Sequence, residues 1–175
     1  MFAGDNQPKA TGQDNLSASR PRDRDGGPPL FTVFIPTFNR AHLLPRALAS
    51  IEAQTYRDFE VVIVDDGSTD GTEGLIRDWQ AQVDFPVIYR WQENQGKYAA
   101  HNLGVELALG RLFFLLDSDD RLLPQTLARL LYHWETIPPA ERHRFAGVEG
   151  LIESLDGHRL LTHPYPRSPL DVSFL

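Results

Sequence analysis

Glu60-Val61-Val62-Ile63-Val64-Asp65-Asp66-Gly67-Ser68-Thr69-Asp70 is the stretch whose reading decides the fold. After Glu60, its first half is an uninterrupted apolar run of β-branched residues, too short for a buried helix and too continuous for a half-exposed strand. Such runs are typical of parallel strands, which are covered on both faces. Its second half is acidic and turn-forming. A polar cluster therefore sits where a buried strand runs out.

The same alternation extends outward in both directions. Upstream, Phe31-Thr32-Val33-Phe34-Ile35 is a second short strand, ended by Pro36. Leu44, Leu48 and Ile51 follow on one face of an amphipathic helix, with Pro45 tolerable only in its first turn. Downstream, a helix is expected over Thr72–Gln82 and a strand over Val87–Trp91. Asn94-Gln95-Gly96 turns into a helix over Lys97–Leu109, on which Ala100, Gly104 and Ala108 form a small-residue stripe suited to close packing on a sheet. Arg111–Leu116 is the next strand, apolar throughout, and ends in Asp117-Ser118-Asp119-Asp120. A further helix starts near Pro124. Phe145–Ser154 and His158–Leu161, around Leu155-Asp156-Gly157, have the pattern of a hairpin.

Alternating strands and helices predict an α/β fold with a mostly parallel sheet and helices on both faces. Ligands of such sheets bind outside the carboxyl ends of the strands. Those ends carry Pro36–Arg40, Asp65–Asp70 and Asp117–Asp120. Residues 1–29 are polar, with too little apolar surface to offset the entropy of ordering, and read as a flexible tail. Residues 30–175 are expected to form one domain.

Composition narrows the partners. A formal net charge of -7 repels phosphate backbones, which argues against nucleic acid but leaves room for a small phosphorylated ligand held by a metal or a few local cations. With no cysteine there is neither a disulfide framework nor a thiolate metal site. No apolar run reaches the ~20 residues that span a bilayer, and the N-terminus lacks the order of a signal peptide. These features predict a cytoplasmic protein.

Asp117 and Asp119, separated by one residue, make a compact set of hard oxygen donors suited to Mg2+ or Mn2+ shared with phosphate oxygens. The competing reading is a turn with a helix cap. Asp65 and Asp66 could likewise be a turn, or could hydrogen-bond a base or ribose. Two acidic clusters at one sheet edge are costly unless a cation lies between them, which favours the binding reading. Phe38 offers a ring for stacking, and Lys97, at a helix start, could reach a phosphate. The six histidines show no ligand spacing, and only His101 lies near these clusters.

Phe34–Arg40, Gln54–Glu60, Val64–Thr72, Asn94–Gly96 with Ala99–Gly104, and Leu116–Asp120 stand in an order that resembles the family-two glycosyltransferases of the GT-A fold, over about Phe31 to Leu131. The resemblance implies a Rossmann-like nucleotide-sugar-binding domain and inverting, metal-dependent transfer from a nucleoside diphosphate sugar, often a UDP-sugar, to an acceptor hydroxyl. It also implies a place in cell-surface polysaccharide synthesis, at the inner face of the membrane. The acceptor, whether glycan, lipid carrier or protein, stays open. Carried over by motif, Pro36, Thr37 and Phe38 would line the nucleoside pocket with Arg40 beside them. Asp65 or Asp66, more naturally Asp66, would contact the base. Lys97 would approach the nucleotide, Asp117 the ribose, and Asp119 would bind Mn2+ or Mg2+.

Two positions depart from the family pattern. His101 stands where arginine is common, and Phe38 where tyrosine is common. Inversion also needs a general base, which in the resembling enzymes lies well downstream of the Asp-x-Asp pattern. Glu149, Glu153, Asp156 and Asp171 follow here without a motif to mark them, so the base is expected beyond Leu175 and the chain is expected to be truncated before its acceptor-binding part. Two alternatives remain open: a phospho-acceptor receiver domain, which also ends two strands in acidic residues, and a domain that binds nucleotide sugar without turnover.

Overall fold

The structure, a computed structural model, describes Gly27–Phe145 together with Gly147 and Val148. In chain order the elements are β1 (Phe31–Thr37), α1 (Leu44–Glu52), β2 (Phe59–Asp65), α2 (Thr72–Gln80), β3 (Val87–Trp91), α3 (Lys97–Leu107), β4 (Leu112–Leu115) and α4 (Thr126–Thr136), followed by a short 3-10 turn at Arg142–Arg144. Among the described residues these strands make one parallel sheet in the order β3-β2-β1-β4.

The apolar runs behave as their composition requires. Every residue of β1 and β2 is buried. Odd-numbered side chains such as Val33, Ile35, Val61 and Ile63 form one core with Leu44, Leu48 and Ile51 of α1, Ile76 and Trp79 of α2, and Leu127 and Leu130 of α4. Even-numbered Phe34, Val62 and Val64 pack with Ala100 of α3 on the opposite face. Helices thus cover both faces, and full burial of each such side chain contributes roughly 1.5–3 kcal/mol. The small-residue stripe has a direct cause: Gly104 lies so close to the Phe34 ring that a Cβ there would stand 2.3 Å from Cε2. Ala108, the third member, already lies past the helix end in extended backbone.

One buried carboxylate ties the edges together. Glu60, 1% exposed, accepts the Thr32 hydroxyl at 2.8 Å and the Leu109 amide at 2.6 Å on the same oxygen, Oε1. Thr32 Oγ1 in turn accepts the Gly110 amide at 2.9 Å. The turn entering β4 is thereby fixed to β1 and β2.

One expectation is corrected. β4 is not covered on both faces like β2: it pairs only with β1 among the described strands, and its exposure alternates, with Phe113 and Leu115 each about two-fifths exposed (42% and 41%). α3 packs over β1 and β2 and leaves the corresponding face of β4 open. The helix expected near Pro124 begins at Thr126, and the Pro124 carbonyl before it accepts the Thr55 amide at 2.8 Å. The expected flexible tail lies outside the described residues except Gly27–Pro29, where the Pro29 carbonyl accepts the Arg111 amide at 3.3 Å. Of the expected hairpin, only Phe145, Gly147 and Val148 are described, and Val148 packs against the main core.

Candidate functional site

From β1 the chain winds outward through β2 to β3, and then returns to the other side of β1 for β4. That reversal is a topological switch point, where connections leave the two adjacent strand ends in opposite directions and open a crevice. Its walls are the loop after β1 and the turn after β4. The sequence-predicted residues lie on these walls and on the neighbouring end of β2, except Lys97, which is the first residue of α3.

The loops after β1 and β2 brace each other. Asn39 adopts a left-handed backbone (φ 51°) that turns its amide onto Ser68 Oγ at 2.7 Å, while its Oδ1 accepts the Thr69 amide at 2.9 Å. Asp70 Oδ2 accepts the Ala41 amide at 3.1 Å, and its other oxygen accepts both the amide and hydroxyl of Thr72. The Thr72 hydroxyl is the chief reason the Asp70 carboxyl is held below the usual carboxylate range. Pro36 is buried within β1. Phe38 is 45% exposed beside the crevice. Thr37 is 4% exposed, and its Oγ1 is buried with no hydrogen-bond partner among the described residues.

The acidic pair divides by partner. Asp65 is fully buried, accepting the Ser68 amide and the Tyr89 hydroxyl, each at 2.9 Å. Burial, then that hydrogen bond and the Asp65 charge, push the Tyr89 phenol well above its ordinary range. Asp66, 5% exposed, takes three donors from the segment leading into α3: Gln92 Nε2 at 2.6 Å and the Gln95 amide at 2.9 Å on Oδ1, and the Gly96 amide at 2.8 Å on Oδ2. Gly67, at φ +90°, fits under Asn94, where a Cβ would come 2.8 Å from the Asn94 nitrogen.

The turn after β4 closes through the Asp120 amide onto the Asp117 carbonyl at 3.0 Å. Its carboxylates meet cations from elsewhere: Arg40 Nη1 lies 3.2 Å from Asp119 Oδ2, and Lys97 Nζ lies 3.1 Å from Asp117 Oδ1. Arg46, on α1, donates to the Asp119 backbone carbonyl. Burial, then the charges of Asp119 and Asp117, raise the Asp120 carboxyl above its usual range against the pull of Arg46. Gln54 anchors the segment that follows, donating to the Leu123 carbonyl at 2.8 Å and accepting the Leu127 amide at 3.1 Å.

The crevice thus brings together Arg40, Lys97, Asp117 and Asp119. Asp66 reaches it through the Gln95–Gly96 amides, while Asp65 lies beneath. His101 sits on the α3 flank with its ring edge-on to Phe34 at 5.2 Å, and its Nε2 is buried without a partner among the described residues. Sequence reasoning assigned nothing to Arg46, Gln54 or Gln92. Gln54 left a trace, since it continues the apolar face of α1 three residues past Ile51 and is 3% exposed. Arg46 left none, being an arginine on the exposed flank of a helix.

No group of three or more histidine or acidic side chains among the described residues is placed to hold a metal alone. Asp117 and Asp119 supply two exposed hard-oxygen donors, a set that suits a divalent ion whose remaining ligands are phosphate oxygens and water. Among the described residues no helix is long and apolar enough to cross a membrane.

The model of Glycosyl transferase family 2 matches residues 32–153. The chain is 40% identical over 125 residues to an uncharacterized glycosyltransferase of Nostoc sp., covering 71% of this chain and 36% of that protein. Residues 1-349 of Staphylococcus aureus TarS, solved in complex with UDP, superpose with a TM-score of 0.57 at 27% identity, over 61% of this chain and 32% of that one. A mannosyltransferase of Pyrobaculum calidifontis, in complex with GDP-Man and Mn2+, gives a TM-score of 0.54 at 33% identity, over 59% and 32%. The match spans about a third of the length of each of these chains.

Proposed function

Because the chain belongs to glycosyl transferase family 2, we propose that its crevice holds a nucleoside diphosphate sugar, UDP-linked in our reading, for inverting transfer of the sugar to an acceptor hydroxyl. The observation that carries this is the acidic turn at the topological switch point, where Asp117 and Asp119 face Lys97 and Arg40. Charges of both signs on one small surface suit a ligand that brings both a metal and a diphosphate. Family membership displaces the receiver-domain alternative.

In this reading Pro36, Thr37 and Phe38 line the nucleoside pocket, and the unpartnered Thr37 hydroxyl gains a partner there. Asp66 contacts the base through the lone pair left on Oδ2, and fully buried Asp65 holds the loop in shape. Asp117 accepts from ribose hydroxyls. Arg40 and Lys97 donate to the diphosphate. Asp119 holds Mn2+ or Mg2+, which when bound supplies charge stabilisation to the departing diphosphate. The base that deprotonates the acceptor is assigned to no residue described here. We place the reaction on the cytoplasmic side of the membrane, in cell-surface polysaccharide synthesis.

The test is a thermal-shift panel of UDP, GDP, dTDP and CDP with and without Mn2+, followed by calorimetry on Asp119→Ala. We expect UDP to stabilise the chain only with Mn2+, and the variant to lose that response. Metal-independent binding that survives in Asp119→Ala would remove the metal role, and no response to any nucleotide would remove the donor-binding reading.

A further inference from the structure

The acidic turn is closed by cations drawn from three different elements. Arg40 comes from the loop after β1, Arg46 from α1 and Lys97 from the first residue of α3. Asp119 and Asp117 are thereby each paired with a cation, and the charge of Arg46 acts on Asp120. The contacts differ in kind. Arg46 holds a backbone carbonyl and so maintains the shape of the turn. Arg40 and Lys97 hold the carboxylates themselves, in open pairs whose side chains are 43% and 50% exposed for Arg40 and Asp119, and 61% and 41% for Lys97 and Asp117. Pairs this exposed favour the closed form by about fivefold at most, so a competing ligand can open them.

We propose that Arg40 and Lys97 are exchangeable partners. In the free crevice they neutralise Asp119 and Asp117. On donor binding they pass to the diphosphate oxygens, while Asp119 takes the divalent cation and Asp117 takes ribose hydroxyls. This rests on the donor-binding reading above and adds the linkage between its parts. A metal ion alone would have to displace Arg40 and leave it beside a new positive charge. A diphosphate alone would bring its charge against three carboxylates. Arriving together they cancel, and each released cation finds an anion within the same crevice. Exchange therefore makes metal and nucleotide bind cooperatively, with Arg40 as a coupling residue.

The signature is two affinities that move in opposite directions in Arg40→Gln. Mn2+ binding to the 175-residue chain without nucleotide, read from the electron paramagnetic resonance of free Mn2+, should tighten about two- to fivefold, because a competitor for Asp119 is gone. UDP binding at saturating Mn2+, read by calorimetry, should weaken about tenfold, because a charge-assisted donor to the diphosphate is gone. Lys97→Gln should weaken UDP in the same way. Arg57→Gln removes the same charge from the opposite, amino-terminal end of the strands, before β2, and should move neither affinity. The exchange is overturned if Arg40→Gln leaves Mn2+ binding unchanged or weaker, if UDP affinity does not fall, or if Arg57→Gln reproduces both shifts. A parent chain that binds no UDP at any Mn2+ concentration overturns the donor-binding reading itself, which is a separate result.

Discussion

Replacing Gly104 by alanine sets two known effects against each other at one atom. Alanine is favoured over glycine in a helix by about 0.8–1 kcal/mol, and Gly104 lies within α3 with its helical hydrogen bonds in place. The new methyl, however, would stand 2.3, 2.6 and 2.7 Å from Cε2, Cδ2 and Cζ of Phe34. Carbon atoms prefer about 3.5–4.0 Å, so the ring must retreat by roughly an ångström. It has little room: Phe34 is fully buried, with His101 edge-on at 5.2 Å and Phe113 tilted against it at 5.3 Å. Overpacking of this sort costs about 1–3 kcal/mol and outweighs the propensity gain. We therefore expect Gly104→Ala to lose about 1–2 kcal/mol, a fall in Tm of roughly 2–8 °C for a domain of this size. Urea unfolding followed by tryptophan fluorescence should show a lower midpoint at unchanged slope. Phe34→Leu in the same background should recover part of the loss, and the double-mutant cycle measures how much belongs to this contact. A Gly104→Ala chain as stable as its parent, or more stable, would refute the packing argument.

Three further outcomes follow from contacts described above. Glu60→Ala strands two donors that now share Oε1 and should cost about 2–4 kcal/mol, whereas Glu60→Gln keeps an acceptor there and should cost less than about 1.5 kcal/mol; equal losses by denaturation would contradict this. Asp70→Ala removes the acceptor for the Thr72 and Ala41 amides, and loss of such side-chain-to-backbone hydrogen bonds should cost about 0.5–1.5 kcal/mol at neutral pH. Since the Asp70 carboxyl is lowered in the fold, the folded chain binds fewer protons than the unfolded one at that group. Its contribution is present above the ordinary carboxylate pKa of about 3.9 and is lost as pH falls through the lowered folded value, so the two Tm curves should converge in acid. Gly67→Ala must adopt φ +90° and meet the Asn94 nitrogen at 2.8 Å, and should lose about 1–3 kcal/mol and weaken UDP binding. Gly71→Ala, with nothing within 4 Å of its Cβ, should do neither.

The layered arrangement is readable because Val33–Ile35 of β1 and Val61–Val64 of β2 are apolar on both faces of the pleat, and α1 between the two strands keeps its apolar positions on one side. β4 misleads for the same reason. Leu112–Leu115 is as apolar as β2, but an apolar run cannot report whether a neighbour lies on both sides, and Phe113 and Leu115 prove open. In the crevice, residue identity was readable and partnership was not. Asp65 and Asp66 look alike in sequence, yet one is held by Tyr89 of β3 and the other by amides before α3. Arg40 and Asp119 stand 79 positions apart, and only the strand order brings them together. Arg46 reads as ordinary helix surface until the turn after β4 is folded against it.

The strand order also has a consequence for the time course of folding. β1 with β2, and β2 with β3, are joined by crossovers of a single helix, while β4 must find β1 after the chain has built both of those units. Closing that longest loop carries the largest entropy cost in the sheet. The seating of β4 is therefore expected to be the slow, late event in refolding. Since that event also carries Asp117 and Asp119 to their partners, the ligand site is assembled at the end of folding. A nucleotide that binds the finished crevice should then slow unfolding and leave the rate of refolding nearly unchanged.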